Sequence, residues 1–183
     1  PEYGCFVESV GSKLKVVPAN TENFQIQFDK FEEMLSPKTK AVIVNSPNNP
    51  SGVVYSEETI KKLANILEAK SQEFGHPIFI ISDEPYRELV YGNLQVPYIP
   101  KYYKNTLVCY SWSKSLSLPG ERIGYIAVPD EVADFGMIYG AIAGAARVLT
   151  HVNASSLFQR VVARCVDEPS NIAAYERNGN LLY

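Results

Sequence analysis

Residues 78–83 read Ile-Phe-Ile-Ile-Ser-Asp: four consecutive apolar side chains, one small polar residue, then an acid. The run lacks the alternation of a strand with one wet face, and it is too short for a buried helix. It reads as a strand buried on both sides. Ala41 to Asn45 (AVIVN) and Leu107 to Tyr110 (LVCY) have the same character, and Ile123 to Val128 (IGYIAV) supplies a fourth run. Between the first two, Ser56 precedes Glu57 and Glu58, a capping residue followed by acids where the helix dipole favours them. Ile60, Leu63, Ala64 and Leu67 then recur at helical spacing until Gly75 and Pro77 end the pattern. Buried strands alternating with helices predict an α/β fold, a mostly parallel sheet flanked by helices on both faces. In such folds the chemistry lies beyond the carboxyl ends of the strands.

Outward from this centre the expectations are plainer. Lys13 to Pro18 (KLKVVP) predicts a strand. Phe28 to Leu35 predicts a short amphipathic helix with Phe28, Phe31, Met34 and Leu35 on one face. Two or three helices are expected over 130–148, 154–167 and 169–183. Gly140 and Gly144, spaced G-x-x-x-G, suggest close helix packing. No internal repeat is visible.

The chain has 183 residues, near the length of one domain, with a net charge of −3. Charged residues make up 20% and hydrophobic ones 46%, which argues against disorder. The acidic balance offers no electrostatic footprint for nucleic acid or an anionic membrane. No apolar run approaches the roughly 18 residues of a membrane span. Cys5, Cys109 and Cys165 are widely spaced with no C-x-x-C, so a reducing, cytoplasmic setting is expected and a disulfide framework or zinc knuckle is not. His76 and His151 are too far apart to suggest a metal site. Their expected roles are surface or packing. Asn153-Ala154-Ser155 fits a glycosylation pattern, read as incidental without a secretion signal. The chain opens without Met and closes inside a helix-like pattern. It is expected to be a single partial domain, 1–183, of a longer protein.

Four segments carry candidate chemistry. Lys114, after a strand and among hydroxyls and Trp112, is placed as a desolvated amine able to form a Schiff base; the ordinary alternative is a solvated loop lysine. Ser111, Ser113 and Arg122 could hold a phosphate dianion through hydroxyls and a bidentate guanidinium, unless Arg122 simply pairs with an acid such as Glu121. Asp83, after its apolar strand, needs a partner such as a protonated ring nitrogen, and Tyr86 could reach the same ligand; the alternative is an Asp that caps its turn. The loop Asn45 to Gly52 (NSPNNPSG) can hold the Asn49 amide in one direction, or be an ordinary connection.

The order of these segments is more telling than any one of them. S-P-N-N-P-S-G, S-D-E-P-Y and S-W-S-K-S-L-S-L-P-G-E-R-I-G together resemble the class I/II aminotransferases, pyridoxal-phosphate enzymes of fold type I, and P-E-Y-G-C-F resembles their P-x-Y-x-x-Y segment. The resemblance runs through almost the whole chain and implies the core of the large, cofactor-binding domain. It implies that Lys114 forms the internal aldimine and shuttles the substrate proton. Asp83 would pair with the pyridine nitrogen, Asn49 and Tyr86 with the phenolic oxygen, and Ser111, Ser113 and Arg122 with the phosphate. The substrates implied are an amino acid, aspartate as a first choice, and a 2-oxo acid, with a homodimer in the full-length parent. Family members are about twice this length. The ring-stacking aromatic and the arginine for the substrate carboxylate are expected outside the chain, which by itself should be a poor or inactive enzyme.

Three other readings stand beside this one. A carbon–sulfur β-lyase or related lyase would use the same scaffold. Ser111-Trp112-Ser113-Lys114 also satisfies the S-x-x-K pattern of acyl-serine enzymes, although only Ser82-Asp83-Glu84 and Lys38-Thr39-Lys40 approximate the companion motifs. A non-catalytic regulator could carry the domain for cofactor binding alone.

Overall fold

The computed structural model describes residues 2–92, 94–168 and 172–180. Helix α1 (Glu2–Glu8) and helix α2 (Phe28–Met34) precede strand β1 (Ala41–Asn45), helix α3 (Glu57–Phe74) and strand β2 (Phe79–Asp83). A 3-10 turn at Ile99–Lys101 leads to β3 (Thr106–Ser111), the single-turn helix α4 (Trp112–Ser115) and β4 (Gly124–Ala127). Helices α5 (Phe135–Val148), α6 (Ser156–Cys165) and α7 (Ile172–Asn180) follow.

The strands form one sheet in the order β1-β2-β3-β4. The first three are parallel, and β4 runs antiparallel to β3. Val44 is level with Ser82, and Ser82 with Val108, so these three share a face, together with Ile80 and Thr106 two residues before. All five are buried. Helix α3 seals this face with Ile60, Leu63, Ala64 and Leu67, joined by Phe31 of α2 and by Ile99 and Tyr103. The helix begins where Ser56 accepts the Thr59 amide at 3.0 Å, and ends where Gly75 turns left-handed at φ 71°. Polar groups inside this layer are satisfied: the Tyr103 hydroxyl donates to the Ile78 carbonyl at 2.6 Å, and the Thr106 hydroxyl to the Tyr103 carbonyl at 2.6 Å.

Three expectations need correction. Residues 13–18 form no strand. Leu14 and Val17 turn partly inward, three residues apart, while Val16 is 72% exposed, so the side chains lack the two-residue alternation that pairing needs. The sheet is not sealed on both faces by the described residues: Ile43, Ile81 and Leu107 on the second face are only half-buried, and no residue of α5 is buried. The helix expected from 130 starts at Phe135, because a turn at Pro129–Val132 and the left-handed Asp134 (φ 56°) interrupt it. Of the last predicted helix, 172–180 are helical, and 169–171 and 181–183 lie outside the described residues. Among the described residues no helix is long and apolar enough to cross a membrane, and no group of three or more His, Cys, Asp or Glu is placed to hold a metal.

Candidate active site

Parallel order brings the carboxyl ends of β1, β2 and β3 to one edge of the sheet, and the segments singled out from sequence leave from those ends. After β1, the Asn45 side chain ties two of them together. Its Nδ2 donates to the Asp83 carbonyl at 2.9 Å, and its Oδ1 accepts the Asn49 amide at 2.9 Å. Asn48 Oδ1 accepts from the Ser51 hydroxyl at 2.8 Å, which closes the loop on itself. Ser46–Pro47 and Asn49–Pro50 are cis peptide bonds. From this loop Asn49 Nδ2 donates to the Tyr86 hydroxyl at 3.1 Å. Lys114 Nζ stands 5.7 Å from the centre of the same Tyr86 ring, within cation–π range. Asn49, Tyr86 and Lys114 therefore meet although 65 residues separate the first from the last.

Tyr86 is held from behind. Glu84 is buried, accepts from the Ser82 hydroxyl at 2.6 Å and pairs with Arg87 at 2.8 Å. Arg87 also donates to the carbonyls of Val96 and Pro97, at 3.0 and 3.3 Å. A buried carboxylate without such partners would be strongly unfavourable, so Arg87 is bound to this place. The pair brackets Tyr86, and through Arg87 it ties Val96 and Pro97 to the same place. Sequence reading passed over it, although a glutamate one residue past a buried strand and three before an arginine was a usable signal.

The second cluster surrounds a cavity of about 330 Å³ lined by Ser111, Ser113, Arg122, Ile123, Gly124 and His151. Ser111 ends β3, and α4 places Ser113 and Lys114 one turn on. The Trp112 amide donates to the Ile123 carbonyl at 3.2 Å and draws the arginine turn against this segment. Gly124 permits the approach: a Cβ there would collide with the Tyr110 carbonyl oxygen and lie 3.1 Å from the Ser111 Cα. Arg122 sits in the left-handed region (φ 51°) and donates Nη1 to the Pro119 carbonyl at 2.7 Å. Beneath α4, the rings of Tyr110, Trp112 and Tyr125 pack with centres 5.3 to 5.5 Å apart. Tyr110 meets Ser115 at 2.7 Å and donates to Glu88 at 2.9 Å, and its phenol is pushed up to about 12, chiefly by burial. The Tyr175 hydroxyl of α7 donates to the Lys114 carbonyl at 3.2 Å. His151, assigned by sequence to surface or packing, is part of the cavity wall.

Asp83 has a partner that sequence did not foresee. The Tyr3 hydroxyl donates to Asp83 Oδ2 at 2.5 Å across 80 residues. Tyr3 stands in the P-E-Y-G-C-F segment, whose aromatic had suggested only a likeness.

The cavity with hydroxyls and a guanidinium, the amine over a phenol ring and the carboxylate at the strand end are features of three motifs in one order. The family model for class I and II aminotransferases matches residues 1–179. This chain belongs to that family. It is 37% identical over 127 residues to a probable aspartate/prephenate aminotransferase of Aquifex aeolicus, covering 67% of this chain and 31% of that protein. It is also 37% identical over 131 residues to a probable aspartate aminotransferase of Methanocaldococcus jannaschii, covering 71% of this chain and 32% of that one. The crystal structure of an amino transferase from Eubacterium rectale superposes with a TM-score of 0.95 at 60% identity, over 100% of this chain and 46% of that one. Thermus thermophilus aspartate aminotransferase does so with a TM-score of 0.79 at 26% identity, over 98% and 46%. The chain thus spans about a third of the length of these curated relatives and just under half of these solved structures.

Proposed function

We propose that this chain is the cofactor-binding core of a pyridoxal-phosphate-dependent aminotransferase whose whole form moves an amino group from an amino acid, aspartate as first choice, to a 2-oxo acid. The observation that carries the reading is the meeting of Asn49, Tyr86 and Lys114 at the ends of three strands, with the Asn49–Tyr86 bond at 3.1 Å and the amine 5.7 Å from the ring.

The donor set fits that cofactor. A dianionic phosphate calls for hydroxyls and a guanidinium, which line one cavity as Ser111, Ser113 and Arg122. A protonated pyridine nitrogen calls for a carboxylate, supplied by Asp83. A phenolate oxygen calls for hydrogen-bond donors, supplied by Asn49 Nδ2 and the Tyr86 hydroxyl. An aldehyde calls for an amine, supplied by Lys114 Nζ. When bound, the cofactor's protonated ring supplies an electron sink. Lys114 Nζ is then the group that accepts and returns the proton of the substrate α-carbon. Asp83 holds the ring-nitrogen proton in place. Asn49 and Tyr86 stabilise negative charge on the phenolic oxygen, and the cup orients the whole by its phosphate.

Homodimerisation of the whole protein and a cytoplasmic setting belong to the same reading. Exposed Met137, Tyr139, Val148 and Leu149 on and just after α5 support the first, and three free cysteines the second.

The test is covalent trapping. The chain is mixed with pyridoxal phosphate and reduced with borohydride, and the adduct is mapped by mass spectrometry. A single modified residue, Lys114, lost in Lys114→Ala and weakened in Arg122→Ala, is the expected result. Scattered labelling over surface lysines would sink the assignment of the cup. In the full-length parent, amino transfer to 2-oxoglutarate is expected; release of pyruvate and a thiol would instead support the lyase reading.

A further inference from the structure

We infer that Tyr110 is a positioning residue for Lys114: with Ser115 and Glu88 it forms a one-way chain of hydrogen bonds that braces the turn bearing the amine against the segment bearing Tyr86. The inference rests on the reading of the site proposed above and adds three residues to it.

Lys114 stands on a weak support. Helix α4 has four residues, none of them buried, and no side-chain cap from Ser111. A helix this short does not hold together by its own hydrogen bonds. Its place is set from outside. The Trp112 amide ties its start to the Ile123 carbonyl at 3.2 Å, and the Tyr175 hydroxyl donates to the Lys114 carbonyl at 3.2 Å. Its last residue, Ser115, meets the Tyr110 hydroxyl at 2.7 Å.

This last tie continues, and it has one direction. The Tyr110 hydroxyl donates its single proton to Glu88 Oε2 at 2.9 Å. The Ser115 hydroxyl is then the donor to Tyr110, because a phenol has no second proton to give. The Tyr110 phenol is pushed up to about 12, first by burial, so it keeps that proton throughout the physiological range. Bonds linked in one sense strengthen one another.

Both ends of the chain are anchored. The Tyr110 ring packs on Trp112 and Tyr125 with centres 5.5 and 5.3 Å apart, which makes its hydroxyl a fixed post on β3. Glu88 follows Arg87, which is held by Glu84 and by the carbonyls of Val96 and Pro97. Glu88 is also two residues past Tyr86, whose ring centre lies 5.7 Å from Lys114 Nζ. The amine and the phenol ring that meet in the site are thus joined a second time, through Ser115, Tyr110 and Glu88. That link sets their separation before a ligand arrives. An amine that must reach an aldehyde carbon is sensitive to such a setting, since a displacement of about 1 Å can slow a reaction about 100-fold. A ligand without an aldehyde makes no such demand.

The experiment uses the chain with Tyr110→Phe, Ser115→Ala, their double variant, Glu88→Gln and Glu88→Ala. Each is mixed with saturating pyridoxal phosphate, borohydride stops the reaction at timed intervals, and mass spectrometry gives the rate at which Lys114 is modified. Calorimetric titration gives the affinity for pyridoxamine phosphate, which carries an amine in place of the aldehyde and forms no covalent bond to Lys114. Tyr110→Phe is expected to slow the labelling of Lys114 about tenfold and to change the affinity for pyridoxamine phosphate less than about twofold. Ser115→Ala should slow labelling to a similar degree, and the double variant no further, because the two residues act as one chain. Glu88→Gln keeps an acceptor and should retain most of the rate; Glu88→Ala should not. An unchanged rate in Tyr110→Phe would overturn the inference. Additive slowing in the double variant would overturn it too, as would an equal fall in pyridoxamine phosphate affinity, which would make Tyr110 a scaffold residue of the whole cup. Wild-type labelling separates the two levels. If Lys114 is labelled and its rate ignores Tyr110→Phe, the inference alone fails. If Lys114 is not labelled, the reading of the site fails and the inference falls with it. Tyr110→Phe keeps the packed ring, so its thermal melting should match the wild type; should it melt lower, Ser115→Ala, which leaves β3 untouched, decides the matter.

Discussion

The middle of this chain and its C-terminal part use apolar side chains in opposite ways. Between Phe31 and Val108, Ile60, Leu63, Leu67, Ile78 and Ile80 are at most 1% exposed and close around one face of the sheet. From β4 onward, Tyr125, Ile126, Met137, Tyr139, Val148, Leu149 and Leu157 are 47 to 82% exposed. The second region is the richer of the two in hydrophobic residues, so composition does not decide burial; the presence of a facing layer does. The first region has its layer in α3. Among the described residues the second buries Val132 and Val162 but no residue of α5, and an apolar helix such as α5 (FGMIYGAIAGAARV) is expected to meet a facing layer. The candidate site lies on the seam, with Asn49, Asp83 and Tyr86 on the closed side and Arg122 and His151 on the open one.

The contrast can be broken most directly at Leu63, which is 0% exposed. Leu63→Ala should destabilise the chain by about 2–5 kcal/mol in urea unfolding, since it leaves a cavity between helix and sheet. A cost below about 1 kcal/mol would mean that this layer is loose and that the two regions do not differ.

Cys109, on the half-covered second face, tests how dry that face is. Its thiol is pushed up from 9.0 to about 11, by burial first and then by the charges of Asp83 and Glu84. A raised folded value means that the unfolded chain ionises first. The stability is therefore full below about pH 9 and lost as pH rises to about 11. The loss should reach roughly 2–3 kcal/mol. Cys109→Ala should remove that part of the alkaline slope, measured as unfolding free energy from pH 8 to 11. An identical slope in the variant would mean that water reaches the thiol.

Gly124 lies on the seam itself. Gly124→Ala should cost about 1–3 kcal/mol and loosen the cup, because the new methyl group meets the backbone of Tyr110 and Ser111. Affinity for pyridoxal phosphate should fall with it, while affinity for pyridoxal, which has no phosphate, should fall less. Equal loss for both would place the damage outside the cup.

Much of the closed region was legible in the sequence. AVIVN and IFIIS are unbroken apolar runs, and the α3 stripe with its serine cap repeats a local rule that needs no distant partner. Asn49, Tyr86 and Lys114 could be proposed because each follows a strand, and parallel order brings strand ends together. What could not be read was set by partners far along the chain. Tyr3 reaches Asp83 over 80 residues, and no periodicity announces that contact. His151 joins the cavity wall through the turn after α5. Residues 13–18 have the composition of a strand and, among the described residues, no strand to pair with, which no local pattern records. The full covering of the sheet was overestimated for the same reason: apolar strands show what needs covering, not whether a layer is there.

The smallest expected effect is at Val148, which is 82% exposed at the end of α5. If that face is wet, Val148→Ala removes little buried area and improves helix propensity slightly, so stability should change by less than about 0.5 kcal/mol. A loss above about 1 kcal/mol would mean that something covers the residue in solution. Dilution then distinguishes the sources. If a second copy of the chain supplies the cover, the loss shrinks as protein concentration falls and sedimentation shows dissociation over the same range. If the loss is independent of concentration, the cover comes from within the chain, and the open region is less open than its side chains indicate.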